Sequence, residues 1–376
     1  MKKWTEYALE DLLSYEQPTP YIVESTDYSD NYKTPVLTAG KSFIIGYTNE
    51  TKGIYDKLPV IIFDDFTTST QYVSFPFKVK SSAMKILTAN TNLVLPKFIF
   101  YRMQIIEFDH STHKRYWIQQ YSKIKVKIPS LPEQEKIVAK IEELFSELDN
   151  GVETLKKTKQ QLAVYRQAVY ASVYQENDMR PITDFFEVSG GLTKNSKRNE
   201  LSLKMPYLRV ANVYYNELDL SEIKFIGVSE NEVQKTTLKK DDLLFVEGNG
   251  SKEQIGRVAM WDGSIENCLH QNHLIKGRPL GNMLPQYALF YLISAYGRKQ
   301  ILEVASSTSG LYTLSTNKVR NLQIPFVEIE KQKQCISIVE ERLSVCDSIE
   351  KTVDTALQQA EAMRQSILKK AFEGEL

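Results

Sequence analysis

The chain has 376 residues, and its 47 Lys and Arg balance 47 Asp and Glu, so the whole-chain charge gives no basic excess that would hold a polyanion. No apolar run approaches the roughly eighteen residues of a membrane span, the MKKWTEYALEDLL start lacks a secretory core, and a cytoplasmic protein is the default expectation. Cys268, Cys335 and Cys346 form an odd, sparse set that indicates neither a disulfide framework nor a zinc site.

Residues 1–127 read as a mixed α/β segment. It has an amphipathic opening at Leu9–Leu13, strand-like runs at Pro35-Val36-Leu37 and Val60–Phe63, and an apolar helix starting at Pro96. From Ile128 to Tyr174 the pattern changes. Ile137, Ile141, Leu144, Leu148, Val152, Leu155, Leu162, Val169 and Val173 recur by threes and fours or their sums, with Glu, Lys and Gln elsewhere. That narrow apolar seam is what a coiled-coil partner face requires. Roughly 42 residues at 1.5 Å rise predict a rod of about 63 Å, with Asn150-Gly151 as the place where a kink or break is expected.

Residues 179–323 repeat the first segment faintly. Ile182–Phe186 answers Leu9–Leu13, Pro206-Tyr207-Leu208 answers Pro35-Val36-Leu37, Leu243–Val246 answers Val60–Phe63, and Pro285 opens a helix as Pro96 does. From Ile324 to Phe372 the rod returns. A shift of 198 positions pairs Gln134 with Gln332, Asp149 with Asp347, Gln160-Gln161 with Gln358-Gln359 and Arg166-Gln167 with Arg364-Gln365. Its seam reads Cys335, Val339, Leu343, Cys346, Ile349, Val353, Leu357, Ala360, Met363, Ile367 and Ala371, which places two of the cysteines as small buried thiols. A thin rod cannot bury its seam alone. Periodicity leaves open a dimerisation coil, but two copies in one chain, each following a globular segment, can pack antiparallel within one molecule. The small positive excess sits on the globular parts (16 basic against 13 acidic in residues 1–132, 18 against 17 in 175–327), and the rods are acidic.

Two diverged scaffolds with better-kept rods suit the reading of two different half-sites on one extended ligand, and duplex DNA is such a ligand. The chain resembles the specificity subunits of type I restriction-modification systems over essentially its full length. The resemblance rests on the Ile128-Pro129 leader with Leu131-Pro132-Glu133-Gln134, the Arg-Gln near each rod's end, and the MPYLRVANV stretch from Met205 to Val213. It is strengthened by DDLLFVEGNGSKEQIGR from Asp241 to Arg257 and HQNHLIKGRP from His270 to Pro279. In the second rod the leader is Phe326-Val327-Glu328 instead of a proline-rich Leu-Pro, and the first segment fits the pattern more loosely.

The resemblance implies a mixed α/β (α+β) protein with two target-recognition domains, 1–127 and 179–323, separated by an intramolecular antiparallel coiled coil from helical spacers at 128–178 and 324–376. It implies no catalysis and no cofactor in this chain, which would bind a bipartite, asymmetric duplex site. Two methyltransferase subunits using S-adenosylmethionine would dock on the helical spacer, and restriction subunits using ATP and Mg would complete the complex. Polar loops are the candidate DNA contacts, because phosphates take charge and base edges take bidentate side chains. In the second domain they are Thr193, Lys194, Asn195, Lys197 and Arg198, then Arg209 and Asn212, then Asn249, Ser251, Lys252 and Arg257. In the first they are Thr38, Gly40 and Lys41, then Thr67, Thr68 and Ser69, then Lys85.

Other motifs are weak. Gly248-Asn249-Gly250-Ser251-Lys252 lacks the spacing of a phosphate loop and reads as a polar turn. His110 with His113 and His270 with His273 are spaced as metal pairs but have no nearby cysteine or suitably placed acid. Ser306–Gly310 reads as a flexible loop. The 21 tyrosines and 16 phenylalanines are assigned to two cores. An acidic-aromatic Pro-Pro motif of amino-methyltransferases is not present, which sets aside an autonomous methyltransferase or nuclease. The competing class is a two-headed coiled-coil scaffold that binds protein partners instead of DNA.

Overall fold

The computed structural model describes residues 4–38, 40, 42–109, 115–174, 178–308 and 310–376. The first part of the chain forms β1 (Thr5–Ala8), α1 (Leu9–Leu12), β2 (Leu13–Glu16), β3 (Thr34–Leu37), β4 (Ile44–Thr48), β5 (Val60–Asp64), β6 (Thr70–Val73), β7 (Lys78–Val79), β8 (Met84–Ala89), α2 (Pro96–Met103), β9 (Lys125–Ile128) and α3 (Leu131–Ser172). The second forms β10 (Asp178–Pro181), β11 (Phe186–Gly190), β12 (Lys204–Leu208), β13 (Lys224–Gly227), α4 (Glu230–Thr236), β14 (Leu243–Val246), β15 (Gly248–Asn249), β16 (Val258–Met260), β17 (Leu269–His270) and β18 (Leu274–Pro279). It continues with α5 (Pro285–Ile293), α6 (Ala295–Val304), β19 (Ser306–Thr308), β20 (Leu311–Thr313), α7 (Thr316–Arg320), β21 (Gln323–Phe326) and α8 (Ile329–Glu373). The fold is mixed α/β, as expected.

Two compact units result: residues 1–156 with 354–376, and residues 157–353. Each long helix therefore gives one stretch to each unit. Both units are built on one topology. The first has sheets ordered β2-β8-β5-β6 and β4-β3-β7, and the second has β11-β18-β14-β16 and β13-β12-β17. Even the mixed pairing repeats: β3 is antiparallel to β4 and parallel to β7, as β12 is antiparallel to β13 and parallel to β17. In each unit the first strand pairs antiparallel with the strand that leads into a long helix, β1 with β9 and β10 with β21. The faint sequence echoes are thus equivalent elements, with Pro35-Val36-Leu37 and Pro206-Tyr207-Leu208 in β3 and β12, and Pro96 and Pro285 at the first turns of α2 and α5.

The repeated glutamines have a shared task. Gln134 is fully buried; its Oε1 accepts from Leu95 N at 2.8 Å, and its Nε2 donates to Leu93 O at 3.0 Å and Pro129 O at 2.9 Å. Gln332, also fully buried, accepts from Leu284 N at 2.8 Å and donates to Val327 O at 2.7 Å. Leu95 and Leu284 are the residues before α2 and α5, whose first N–H groups would otherwise be orphaned. One amide per repeat therefore fixes a domain helix to its long helix, in a place where an unpaired polar group would be destabilising.

Within each unit the long helices run antiparallel. In the second, Cys335 Sγ approaches Val173 O at 3.7 Å, Arg342 donates to Ser172 Oγ at 3.3 Å, and Arg166 meets Asp347 at 2.7 Å and Glu350 at 2.8 Å. As α3 is followed backward, its partner α8 runs forward. In the first unit Arg364 pairs with Asp149 and lies 4.3 Å from the Phe145 ring centroid, while Ile141, Phe145, Leu368 and Ala371 close a small core. The arginine-to-aspartate pairing thus occurs twice, with the helices exchanging roles, as the 198-residue shift requires. Such exposed pairs contribute little energy and mainly set register. Cys335 and Cys346 are buried as the seam demands, but Ile349 and Met363 fall outside it, 40% and 53% exposed. The expected break at Asn150-Gly151 does not occur: α3 continues through both residues. A glycine in a helix costs only about 1 kcal/mol, which packing on both sides of it offsets.

Candidate nucleic-acid interface

Strand register decides which loops share an end. In the second unit Gly190 lies opposite Ile275, Val246 opposite Leu274, Phe245 opposite Val258, and Leu208 beside His270. The segments after β11, β12, β14 and β17, and those before β16 and β18, therefore leave the sheets at one end. The segment after Gly190 starts at that end, but Arg198–Leu203 run on to the opposite end of β12 and β13, where Val228 donates to Leu203 O at 3.0 Å. The first end also gathers residues 209–222, 247–257 and 271–273. The close approach there explains one glycine. A Cβ on Gly191 would lie 2.3 Å from His270 O and 2.5 Å from Gln271 O, so no larger residue fits. In the first unit Glu16 lies opposite Ile86, Asp64 opposite Met84, Phe63 opposite Thr70, and Leu37 beside Val79. The start of the segment after Glu16, the described residues between Leu37 and Ile44, and the loops at 65–69 and 80–83 share the corresponding end; Ser29, which donates to Tyr47 O at 3.1 Å, lies at the other.

Most of the polar residues singled out from sequence sit on these ends. Thr193, Lys194, Asn195, Lys197 and Lys252 are exposed. Asn249 Oδ1 accepts from Ser251 N at 2.9 Å, and Ser251 Oγ donates to Glu253 at 2.7 Å, which shapes the second loop. In the first unit Thr38 Oγ1 donates to Ser42 O at 2.8 Å and accepts from Gly40 N at 3.3 Å. Thr67, Thr68 and Ser69 form a turn held by Asp64, whose Oδ1 accepts from Phe66 N at 2.8 Å and Thr67 N at 2.9 Å. Thr68 adopts φ 57° there. Lys41 lies outside the described residues, as do His110 and His113.

Several of the expected contacts instead hold the loops from inside. Lys85 is 1% exposed, with its Nζ 3.1 Å from Asp65 and 3.2 Å from Gln17 Oε1; Asp65 in turn accepts from Trp117 N at 2.9 Å. A lysine so placed cannot reach a phosphate, and its charge serves the Asp65 turn. Asn212 is 2% exposed; it accepts from Arg209 N at 2.9 Å and donates to Asp219 O at 2.8 Å. Arg209 turns back to Glu222 at 2.9 Å, so the pair ties the 209–222 loop. Arg198 donates to Thr193 O at 2.6 Å and Gly227 O at 3.0 Å and pairs with Glu232 at 2.7 Å, and these bonds hold the Glu232 carboxyl down at about 2. Arg257, 7% exposed, donates to Val210 O at 3.3 Å and Gln254 at 3.1 Å.

The two histidines of the second pair diverge. His270 is fully buried with Nδ1 3.0 Å from Thr236 O, and burial lowers its pKa to about 3, so it stays neutral. His273 Nδ1 lies 3.1 Å from Glu247. Sequence reasoning missed the exposed aromatics. Tyr214 and Tyr215 are 43% and 38% exposed, each with a guanidinium 5.0 Å from its ring centroid, Arg257 and Arg298 respectively. The signal was slight: a Tyr-Tyr-Asn triplet, with Asn216 at φ 53°, breaks a run otherwise typical of core residues.

Two copies of one strand topology, each presenting polar loops at the same end and each completed by stretches of two long helices, define a duplicated recognition protein. The family model for the type I restriction modification DNA specificity domain matches residues 1–163 and 174–359. The EcoR124I/EcoR124II specificity subunit of Escherichia coli is 32% identical over 356 residues, covering 91% of this chain and 87% of that protein. The EcoKI specificity subunit of Escherichia coli K12 is 29% identical over 272 residues, 67% of this chain and 58% of that one. Among solved structures, a chain of a type I restriction-modification assembly superposes with a TM-score of 0.72 at 14% identity, covering 99% of this chain and 98% of that one. The HsdS subunit from Thermoanaerobacter tengcongensis reaches 0.51 at 16%, covering 99% and 97%. At those identities the superpositions speak to fold. The chain belongs to the type I restriction-modification DNA specificity family.

Proposed function

We propose that this chain is the non-catalytic sequence reader of a type I restriction-modification complex, with each unit contacting one half of a bipartite, asymmetric duplex site. The observation that carries this reading is the duplication itself: one topology twice, with unlike polar loops at the equivalent ends. Exposed Lys194, Lys197 and Lys252 suit phosphates, Thr193, Asn195, Asn249, Ser251, Thr67 and Ser69 suit base edges or backbone, and Thr38 and Gly40 border the first reader. Lys85, Asn212, Arg198, Arg209 and Arg257 position those loops. The chain binds no cofactor of its own in this reading. S-adenosylmethionine belongs to the methyltransferase partner, and ATP with Mg to the restriction partner.

The helices are the docking surface for two methyltransferase subunits. Tyr165, 49% exposed beside Val164 at 72%, and Met363, 53% exposed, occupy the same place in the two repeats. Repeat-related apolar positions in an otherwise polar face fit two copies of one partner. Among the described residues, no helix is long and apolar enough to cross a membrane.

The test is salt titration of duplex binding by the full chain, with and without the methyltransferase subunits of its own cells. A reader that neutralises about six phosphates loses roughly a thousandfold in affinity between 50 and 200 mM salt. Binding that is absent or insensitive to salt, even with the partners added, would favour the protein-binding scaffold.

A further inference from the structure

The second unit has a sheet that the first lacks among the described residues. β15 pairs antiparallel with β20, and β20 pairs with β19. β15 continues outward from the end of β14, directly after Val246 and Glu247. Gly248 lies opposite Thr313 and Asn249 opposite Tyr312, so each step outward along β15 is a step back along β20. Leu311 is therefore the outermost residue of β20, beyond the level of Asn249, where Gly250 has nothing within 4 Å of a built Cβ. The ribbon is firmly rooted. Leu314, fully buried, donates its N–H to Glu247 O at 2.7 Å, and Lys318 on α7 donates to Ser306 Oγ and lies 3.5 Å from Thr313 O.

Its surface is unusual for a structural brace. Tyr312 packs against the unit's core, while Leu311 on the opposite face is 48% exposed, and Ser306, which shares that face, is exposed too. A lone exposed leucine says little. One at the tip of a ribbon hydrogen-bonded to the Asn249 loop, at the end where the other candidate contacts gather, says more. Duplex DNA has a major groove about 12 Å wide that admits a two-stranded β-ribbon, and the thymine methyl group is its apolar feature.

We propose that the ribbon of β19 and β20 is a reading element for the second half-site, entering the major groove with Leu311 against a base edge, a thymine methyl group being the fitting partner. The proposal rests on the DNA reading above.

Selection from a randomised duplex pool by the full chain, with its methyltransferase subunits present, separates the outcomes. Wild type enriches a two-part motif; Leu311→Ala, at an exposed position where the fold tolerates truncation, loses about tenfold preference at one or two adjacent positions of one half and keeps the other half intact. An unchanged motif overturns the ribbon's role and leaves the DNA reading standing. Uniform weakening with unchanged base preference also overturns it, because that is the behaviour of a backbone contact. If wild type selects no sequence, the DNA reading itself fails and the ribbon's role with it.

Discussion

Inserting one heptad into each long helix, near Lys156 in α3 and near Leu357 in α8, is expected to lengthen the permitted gap in the DNA site and leave both half-sites unchanged. Seven residues add about 10.5 Å of helix, and duplex DNA rises about 3.4 Å per base pair, so the new gap is longer by about three base pairs. Whole heptads are needed because the apolar seam must stay in frame, Val169 with Cys335, Val339 and Leu343 in one unit and Ile141 and Phe145 with Leu368 and Ala371 in the other. A duplex with the original gap would have to deform to meet both readers, which costs about 3 kcal/mol or more, so affinity for the original site falls by roughly a hundredfold or more. Binding-site selection with the variant checks this. Altered half-sites at the old gap would mean that the helices do not set the spacing.

The second large effect is on stability. Lys85→Met leaves the Asp65 carboxylate, 1% exposed, without the ammonium 3.1 Å away. Removing one partner of a buried pair costs about 3–5 kcal/mol, since the remaining charge is neither solvated nor neutralised. The double variant with Asp65→Asn removes that charge and keeps an oxygen for Trp117 N, so it recovers most of the loss. Urea unfolding followed by tryptophan fluorescence reads the change, because Trp117 is 1% exposed and rings Phe63 and Tyr121 flank it at 5.1 and 6.1 Å. A Lys85→Met protein within 1 kcal/mol of wild type would show that the pair is solvated, and Lys85 would return as a candidate DNA contact.

That lysine marks the boundary of what sequence can say. Repeats were legible because a shift of 198 residues is a property of the string, and a strand or helix pattern repeats wherever the core does. Gln134 and Gln332 stood out as matched positions, yet their reason, an amide that satisfies Leu95 N and Leu284 N, needs coordinates. The loops of the interface were found by composition. Which of their charges face water was not: Lys194 and Arg198 are four residues apart with the same sign, and only Arg198 meets the Glu232 carboxylate. Ser306–Gly310 read as a loop because short, hydroxyl-rich strands have no alternating apolar pattern, and β19 joins a sheet only through β20, which meets Gly248-Asn249 across more than sixty residues. Asn150-Gly151 misled for the opposite reason, local propensity yielding to packing.

The most direct test of the account is a genome-wide map of modified adenines in cells with and without this gene. The proposed reading, two unlike readers in one chain, predicts the loss of a single motif, asymmetric and in two parts with a constant gap, with modification disappearing from both strands together. Loss of a continuous or palindromic motif, or no loss at all, would contradict it.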